Sequence, residues 1–326
     1  MPPWLLVAIA CAAILAWLGR AFAIDQRANR QRLCGKSQVI ETRCGPIEYA
    51  QAGSGPAVLV VHGAGGGFDQ GMEFAEPIAA AGFRVVAMSR FGYLRTAMPV
   101  DASPAAQADA HLALMDALGI KRAVVLGASA GAPSAMQFAL RHPDRCQALG
   151  VLVPMAFRPK MQPAAIAPLS PITERLLMFL VGSDLAFWLA RKLARNILIK
   201  TVLGTPPRVV SKAGLQEQAR VDRILQNIQP IGPRALGIRN DARIARSLSR
   251  FNLEKIAVPT LVVSVRDDLY GTYASAQYTA RHIPGARFVG YDRGGHLWVG
   301  HAREVIAEIL SFMDTARRSW PIGLTG

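Results

Sequence analysis

The chain has 326 residues, 51% hydrophobic and 18% charged, which excludes a disordered protein and allows one large core with an inserted subdomain. Its formal net charge is +15, and residues 155–255 alone carry 17 Lys/Arg against 6 Asp/Glu. Such a segment suits an anionic membrane surface or an acidic substrate, with a solvated basic face as the plainer reading. Nucleic acid is not an expected partner, because there is no nucleic-acid motif and no basic stripe with interleaved aromatics. The cysteines are Cys11, Cys34, Cys44 and Cys146. Their spacing matches no metal site, and although Cys34 and Cys44 could pair in an oxidising compartment, free thiols are expected.

Residues 2–19 carry no charge, and 4–18 are almost wholly apolar. As a helix this stretch reaches about 27 Å, close to the roughly 30 Å hydrocarbon core of a bilayer. Residues 1–24 are therefore read as a single-pass anchor. Arg20, Arg27, Arg30, Arg32 and Lys36 all follow the span, which puts the body of the protein in the cytoplasm. The competing reading is export after cleavage at Ala21-Phe22-Ala23, but the basic n-region of a signal peptide is missing. A polar, basic connector over 25–37 is expected next.

Short strands are predicted at 38–42 and 47–51, then a turn at Gly53-Ser54-Gly55-Pro56 and a buried strand at 57–61. That strand runs into His62-Gly63-Ala64-Gly65-Gly66-Gly67, a loop whose backbone can approach a ligand closely. A helix around 72–81 ends at Gly82, and a strand at 84–88 precedes the loop Ser89-Arg90-Phe91-Gly92-Tyr93. Ser103-Pro104 opens a helix to Leu118, with serine as N-cap and proline in the first turn. The apolar run 123–126 leads into Gly127-Ala128-Ser129-Ala130-Gly131, followed by a helix over 133–141 and a strand over 148–153. Strands alternating with helices indicate a mostly parallel sheet covered on both faces.

The alternation stops at Pro154. Residues 155–255 show helical patterns and no strand, and 176–190 is too short and broken for a second span. They read as a helical cap over the sheet, with contact to the bilayer as the alternative. A helix is predicted over 241–250. The sheet resumes with strands at 259–264 and 287–290, helices near 274–281 and 303–313, and an uninformative tail from Trp320. The core is thus assigned to 38–154 and 256–315, with residues 316–326 as a tail.

A serine on a sharp strand-to-helix turn exposes its hydroxyl, and small residues two positions either side let the turn pack. The pattern alone decides little. A serine nucleophile also needs a base, and the base needs an orienting acid. Asp267-Asp268 follows one late strand and Gly294-Gly295-His296 follows the next, giving the order Ser, Asp, His just beyond successive strands. Each has a plainer reading: a turn aspartate, or a histidine capping the last helix. Their joint placement favours a triad.

These motifs, with His62-Gly63, resemble the α/β-hydrolase fold in its cap-bearing branch, over about residues 38–313. The resemblance implies a sheet of about eight strands, Ser129 as nucleophile, His296 as base and then acid, and an aspartate to orient it. In that family's usual spacing the acid stands three residues after a glycine closing its strand. Val265 occupies the glycine's place, which points to Asp268, with Asp267 as the fallback. The fold's oxyanion hole corresponds to the backbone amides of Ala130 and Ala64, with Gly65 as a second candidate for the latter. No cofactor or metal is expected. The activity implied is that of a serine esterase or related acyl hydrolase, and the apolar cap and anchor point to a hydrophobic substrate. Carbon–carbon bond hydrolysis, a haloperoxidase-like activity and a non-catalytic binding protein are the alternatives. Serine at 129 argues against haloalkane dehalogenation, which uses aspartate there in related proteins.

Overall fold

The computed structural model describes residues 2–159 and 181–318, together with Ile172, Arg175 and Phe179. The rest of the cap's first third and the tail from Trp320 lie outside the described residues. Eight strands form one sheet: β1 (Gln38–Ile40), β2 (Ile47–Ala52), β3 (Ala57–Val61), β4 (Arg84–Met88), β5 (Ala123–Ala128), β6 (Cys146–Leu152), β7 (Thr260–Val265) and β8 (Arg287–Tyr291). Their order is β1-β2-β4-β3-β5-β6-β7-β8, with β2 antiparallel to its neighbours and every other pairing parallel. Strand order reverses direction between β3 and β5. In parallel sheets the carboxyl ends at such a reversal form a crevice, and the loops after β3 and β5 both open there.

Residues alternate along each strand between two apolar cores, as the period of two requires. Leu59 and Val125 join Leu114, Met136 and Phe138 on one face, beneath helices α3 (Pro104–Ala117) and α4 (Ala132–Arg141). Val58, Val60 and Val124 join Ile78, Ile309 and Met313 on the other, beneath α2 (Phe68–Ala80) and α11 (Ala302–Arg318). Ser103 caps α3 as expected, accepting from the Ala106 amide at 3.2 Å. Helix α2 starts four residues earlier than the sequence pattern predicts, which puts Asp69 in its first turn.

Between β6 and β7 come α5 (Asp184–Leu193), α6 (Arg195–Thr201), α7 (Pro207–Lys212), α8 (Leu215–Asn227) and α9 (Ala235–Ser247), with no strand among the described residues there. They have their own core of Phe187, Leu198, Ile199, Val210, Val221 and Leu225. The helix predicted over 241–250 is shifted: α9 begins at Ala235 and ends at Ser247, where Leu248 turns extended. Helix α10 (Thr272–His282) packs between β7 and β8 on the sheet.

The expected connector over 25–37 is corrected. Helix α1 runs unbroken from Pro3 to Leu33, because no glycine or proline interrupts it after Gly19 and it has a surface to pack on. Gly35, with φ +69°, turns the chain out. The first half of α1 is apolar and unburied, whereas Gln26 and Asn29 are buried against the protein. All four cysteines are free thiols.

His111 is buried on α3 with Nε2 3.0 Å from the Ser134 hydroxyl, and burial pulls its pKa down to about 3. His62 is held well below the usual value by burial and then by Arg90. Both are neutral in the folded chain and protonate below about pH 6.5 once unfolded, so both stabilise the fold above that pH, and the His111 contribution is lost as the pH falls toward 3. Between pH 7 and pH 5 His111 alone accounts for a loss of about 2 kcal/mol. Chemical unfolding at the two pH values checks this, with His111→Gln expected to reduce the difference by about that amount.

Candidate active site

Ser129 follows β5 with φ +51°, a left-handed conformation that a non-glycine residue adopts only when its surroundings force it. Ser129–Gly131 form one 3₁₀ turn that passes directly into α4. The flanking glycines are required by contact. A Cβ on Gly127 would lie 2.5 Å from the Ala135 side chain, and one on Gly131 would lie 2.5 Å from the Val61 carbonyl oxygen.

The Ser129 hydroxyl is 2.9 Å from His296 Nε2, and His296 Nδ1 is 2.8 Å from Asp268 Oδ2. A carboxylate beside Nδ1 fixes the proton there and leaves Nε2 to accept from the serine. Asp268 is itself held: its Oδ1 accepts from the Tyr270 amide at 2.8 Å, and its Oδ2 accepts from the Thr272 hydroxyl, which contacts Ser264. Both His296 and Asp268 are buried. The Tyr270 ring stands edge-on to the imidazole, 4.8 Å between centroids, and its hydroxyl donates to the Val202 carbonyl of the cap at 2.8 Å.

The two aspartates are thus separated in space. Asp267 does not reach His296 but accepts from the Gly295 amide at 2.7 Å, holding the loop that carries the histidine. Gly295 has φ +63°, and a Cβ there would lie 2.6 Å from Thr205, so the cap packs against the histidine loop only because no side chain intervenes.

On the other side of Ser129 lies the loop 62–67. The Gly66 amide donates to the Gly63 carbonyl at 3.3 Å, making a turn with Ala64 and Gly65 at its corners. The Gly65 amide points to the Tyr93 hydroxyl at 3.4 Å, which leaves Ala64 the better placed of the two amides proposed from sequence. Ala130 is the second residue of a helical turn, where a backbone N–H has no intrahelical acceptor. Neither the Ala64 nor the Ala130 amide donates to a described residue. His62 is structural: its Nδ1 lies 2.7 Å from the Gly63 carbonyl and its Nε2 accepts from the Arg90 amide at 2.9 Å.

Two buried ion pairs that the sequence did not signal brace this loop. Arg90 donates to the His62 carbonyl at 2.9 Å and grips Asp241 of α9 with both Nη atoms, at 2.8 and 2.7 Å. The Tyr93 hydroxyl shares the same carboxylate. Arg234, wholly buried, donates to the Gly66 carbonyl at 2.5 Å and pairs with Asp69 at 2.8 Å. The only hint in sequence is how few acids stand among the cap's cations, Asp241 being one of them.

Residues 56–299 match the family described as alpha/beta hydrolase fold. The chain belongs to the α/β-hydrolase family. It is similar to an alpha/beta hydrolase fold protein from Nakamurella multipartita, at 30% identity and TM-score 0.66, covering 85% of this chain and 99% of that one. A curated relative is the 2-hydroxy-6-oxo-6-phenylhexa-2,4-dienoate hydrolase of Comamonas testosteroni, 36% identical over 104 residues. That match spans 30% of this hydrolase and about a third (36%) of the relative. A crystal structure of a membrane phospholipase A has the same fold at TM-score 0.67 and 21% identity, with 97% of each chain covered.

The contact at Gly131 is testable. Gly131→Ala drives a Cβ into fixed backbone, so a cost of about 3 kcal/mol and a fall in Tm of roughly 5 °C are expected. Gly214→Ala, at a site with nothing within 4 Å, serves as the control and should leave Tm unchanged.

Proposed function

We propose that this hydrolase cleaves an ester or related acyl bond through an acyl-enzyme on Ser129. The observation that carries the reading is the Ser129–His296–Asp268 chain, at 2.9 and 2.8 Å, on a strained elbow. His296 Nε2 takes the hydroxyl proton as Ser129 attacks the carbonyl, and then returns it to the leaving group. Asp268 orients the ring and stabilises the imidazolium. The developing oxyanion is received by the amides of Ala64 and Ala130. Water, activated by the same histidine, releases the acid. The apolar anchor and the neighbouring cap support a hydrophobic acyl substrate.

A second reading is hydrolysis of a carbon–carbon bond, as the name of the Comamonas relative invites. A dienoate substrate brings a carboxylate that needs a free cation. Arg90 and Arg234, the guanidiniums that reach the loop 62–67, are both already committed to aspartates, so that carboxylate would fall to a cation such as Lys200 or Arg208, which line the pocket beside Asp268.

We further infer that α1 stays in the membrane and that the cap rests on the bilayer surface. At 1.5 Å per residue, Phe22 and Asp25 lie about 6 and 10 Å past Leu18, around the depth of the headgroup layer. There Phe22 meets Trp188 edge-on at 5.7 Å, and Asp25 accepts from the Trp188 indole at 2.7 Å. From α5 onward the cap exposes Leu193 and Ile197 (83% and 62%) beside Arg191, Lys192 and Arg195. The cation excess after the span supports a cytoplasmic body.

A fluorophosphonate probe should label wild-type protein and not Ser129→Ala; absence of wild-type labelling would sink the serine reading. Asp268→Asn is expected to lower kcat by about 10⁴-fold. Asp267→Asn, whose amide oxygen can still accept from Gly295, should stay within about threefold. On p-nitrophenyl esters, turnover confined to acetate would count against a hydrophobic substrate, and turnover of a 2-hydroxy-6-oxo-dienoate alone would favour the second reading. The double substitution Leu193→Asp with Ile197→Asp should slow hydrolysis of vesicle-borne esters about tenfold and leave a soluble ester unaffected. Mature protein beginning at Ile24 would remove the anchor.

A further inference from the structure

The second half of α1 is fastened to the active-site side of the core by one residue. Arg32, in its last turn, sends Nη1 to Asp69 Oδ2 at 2.7 Å and Nη2 to the carbonyls of Asn227 and Gln229 at 3.0 and 2.9 Å. Those carbonyls lie where α8 ends. Asp69 is two residues past the loop 62–67, in the first turn of α2. Its carboxylate also receives both Nη atoms of Arg234, at 3.1 and 2.8 Å, and Arg234 in turn holds the Gly66 carbonyl at 2.5 Å.

This cluster is buried and built against the loop. The Arg234 side chain is 0% exposed, that of Asp69 9% and that of Arg32 29%. A Cβ on Gly67 would lie 3.0 Å from Arg234 Nη1 and from Asp69 Oδ1, so the loop backbone lies directly on the ion pair. Burial pushes the Asp69 carboxyl up, but Arg234 and then Arg32 outweigh it and bring it down to about 2. The carboxylate is therefore charged at any working pH. Arg234 takes both of its oxygens and Arg32 shares Oδ2, an arrangement of two planar guanidiniums with directional demands that a single cation would not impose.

We propose that Arg32 and Asp69 are positioning residues for the loop 62–67, so that α1 is part of the active-site scaffold as well as its tether. The path runs from Arg32 through Asp69 and Arg234 to the Gly66 carbonyl. Gly66 closes the turn on Gly63, and that turn aims the Ala64 amide. Displacing α1 changes the aim of this amide without touching Ser129, His296 or Asp268. The kinetic part rests on the reading of Ala64 as an oxyanion donor; the structural part does not. Cleavage after Ala23 would leave Arg32 in place, so the coupling is compatible with either fate of the span.

The experiment compares full-length protein in detergent micelles with Arg32→Met, Arg32→Lys and, as a control on the same helix, Arg27→Met. Hydrogen–deuterium exchange is followed in peptides covering residues 63–71, and kcat and KM are measured per titrated active site. Arg32→Met is expected to speed exchange in 63–71 about tenfold. It should also lower kcat about tenfold with KM within twofold, a fraction of the 10²–10³ lost when an oxyanion donor is removed outright. Arg32→Lys should recover part of both, since an ammonium keeps the ion pair but cannot fork to the two carbonyls. Arg27→Met should match wild type. Unchanged exchange in 63–71 for Arg32→Met overturns the proposal whatever the activity, as does faster exchange with unchanged kcat. Wild-type protein that neither turns over nor takes the probe would refute the serine reading, and the exchange comparison would still decide the coupling. If Arg32→Met does not fold, Arg32→Lys carries the same comparison, with threefold changes expected.

Discussion

Gly131 lies so near the end of β3 that a Cβ would sit 2.5 Å from the Val61 carbonyl and 2.6 Å from that of His62. This contact joins the turn after β5 to the loop after β3, and the active-site geometry descends from it. It sets Ser129 beside the turn of Ala64, because adjacent parallel strands deliver both loops to the same edge. It also fixes the strained φ of Ser129, since a turn that packs this tightly on its neighbour has no freedom to relax. The histidine and aspartate then need only reach a point already defined. They arrive from the ends of β8 and β7, with Asp267 and Tyr270 holding their loops.

A sheet edge can place three side chains, but it cannot by itself hold a glycine-rich loop still. That task falls to the buried pairs Arg90–Asp241 and Arg234–Asp69, each with one partner in the core and one in the cap. Buried ion pairs add little net stability, because desolvation offsets the Coulomb gain, yet removing one partner typically costs about 3–5 kcal/mol. Their effect here is on specificity of docking. Each guanidinium also donates to a carbonyl of the loop, His62 or Gly66, so the cap cannot shift without moving the loop.

The fold, and the meeting of Ser129, Asp268 and His296 at one sheet edge, were legible in the sequence because both are written in local patterns. The runs 57–61 and 123–126 announced buried strands, and Gly127, Ser129 and Gly131 announced a turn whose steric needs are short-range. Asp267 and Asp268 could not be separated with certainty, since which of two adjacent carboxylates faces a histidine depends on how the turn after Val265 is wound. The braces were invisible for a stronger reason. Arg90 and Asp241 are 151 residues apart, and no local pattern marks a pair whose partners meet only when cap and core dock. The continuation of α1 through residues 25–33 was not read from the sequence because polarity marks where an apolar span ends and says nothing of where its helix ends, and the packing of Gln26 and Asn29 on the protein is not a local signal.

The charge excess of the cap takes on a different meaning once its partners are known. From sequence, the cations of residues 155–255 suited a solvated face or a surface of lipid. Several are in fact spent on acids that lie outside the cap: Arg191 and Lys192 on Asp25 of α1, Arg223 on Glu73 of α2, and Arg234 on Asp69. The exchange runs the other way at Asp241, which takes a cation from the core. A cap with surplus positive charge, facing acids on α1 and α2, is drawn to those two helices together, and hydrophobic contacts such as Phe22 on Trp188 then set the register. Composition that looked like a signal for an external partner is in part the internal adhesive of the molecule. Lys200, exposed on α6 with Ile197, is among the cations left over for a surface outside it.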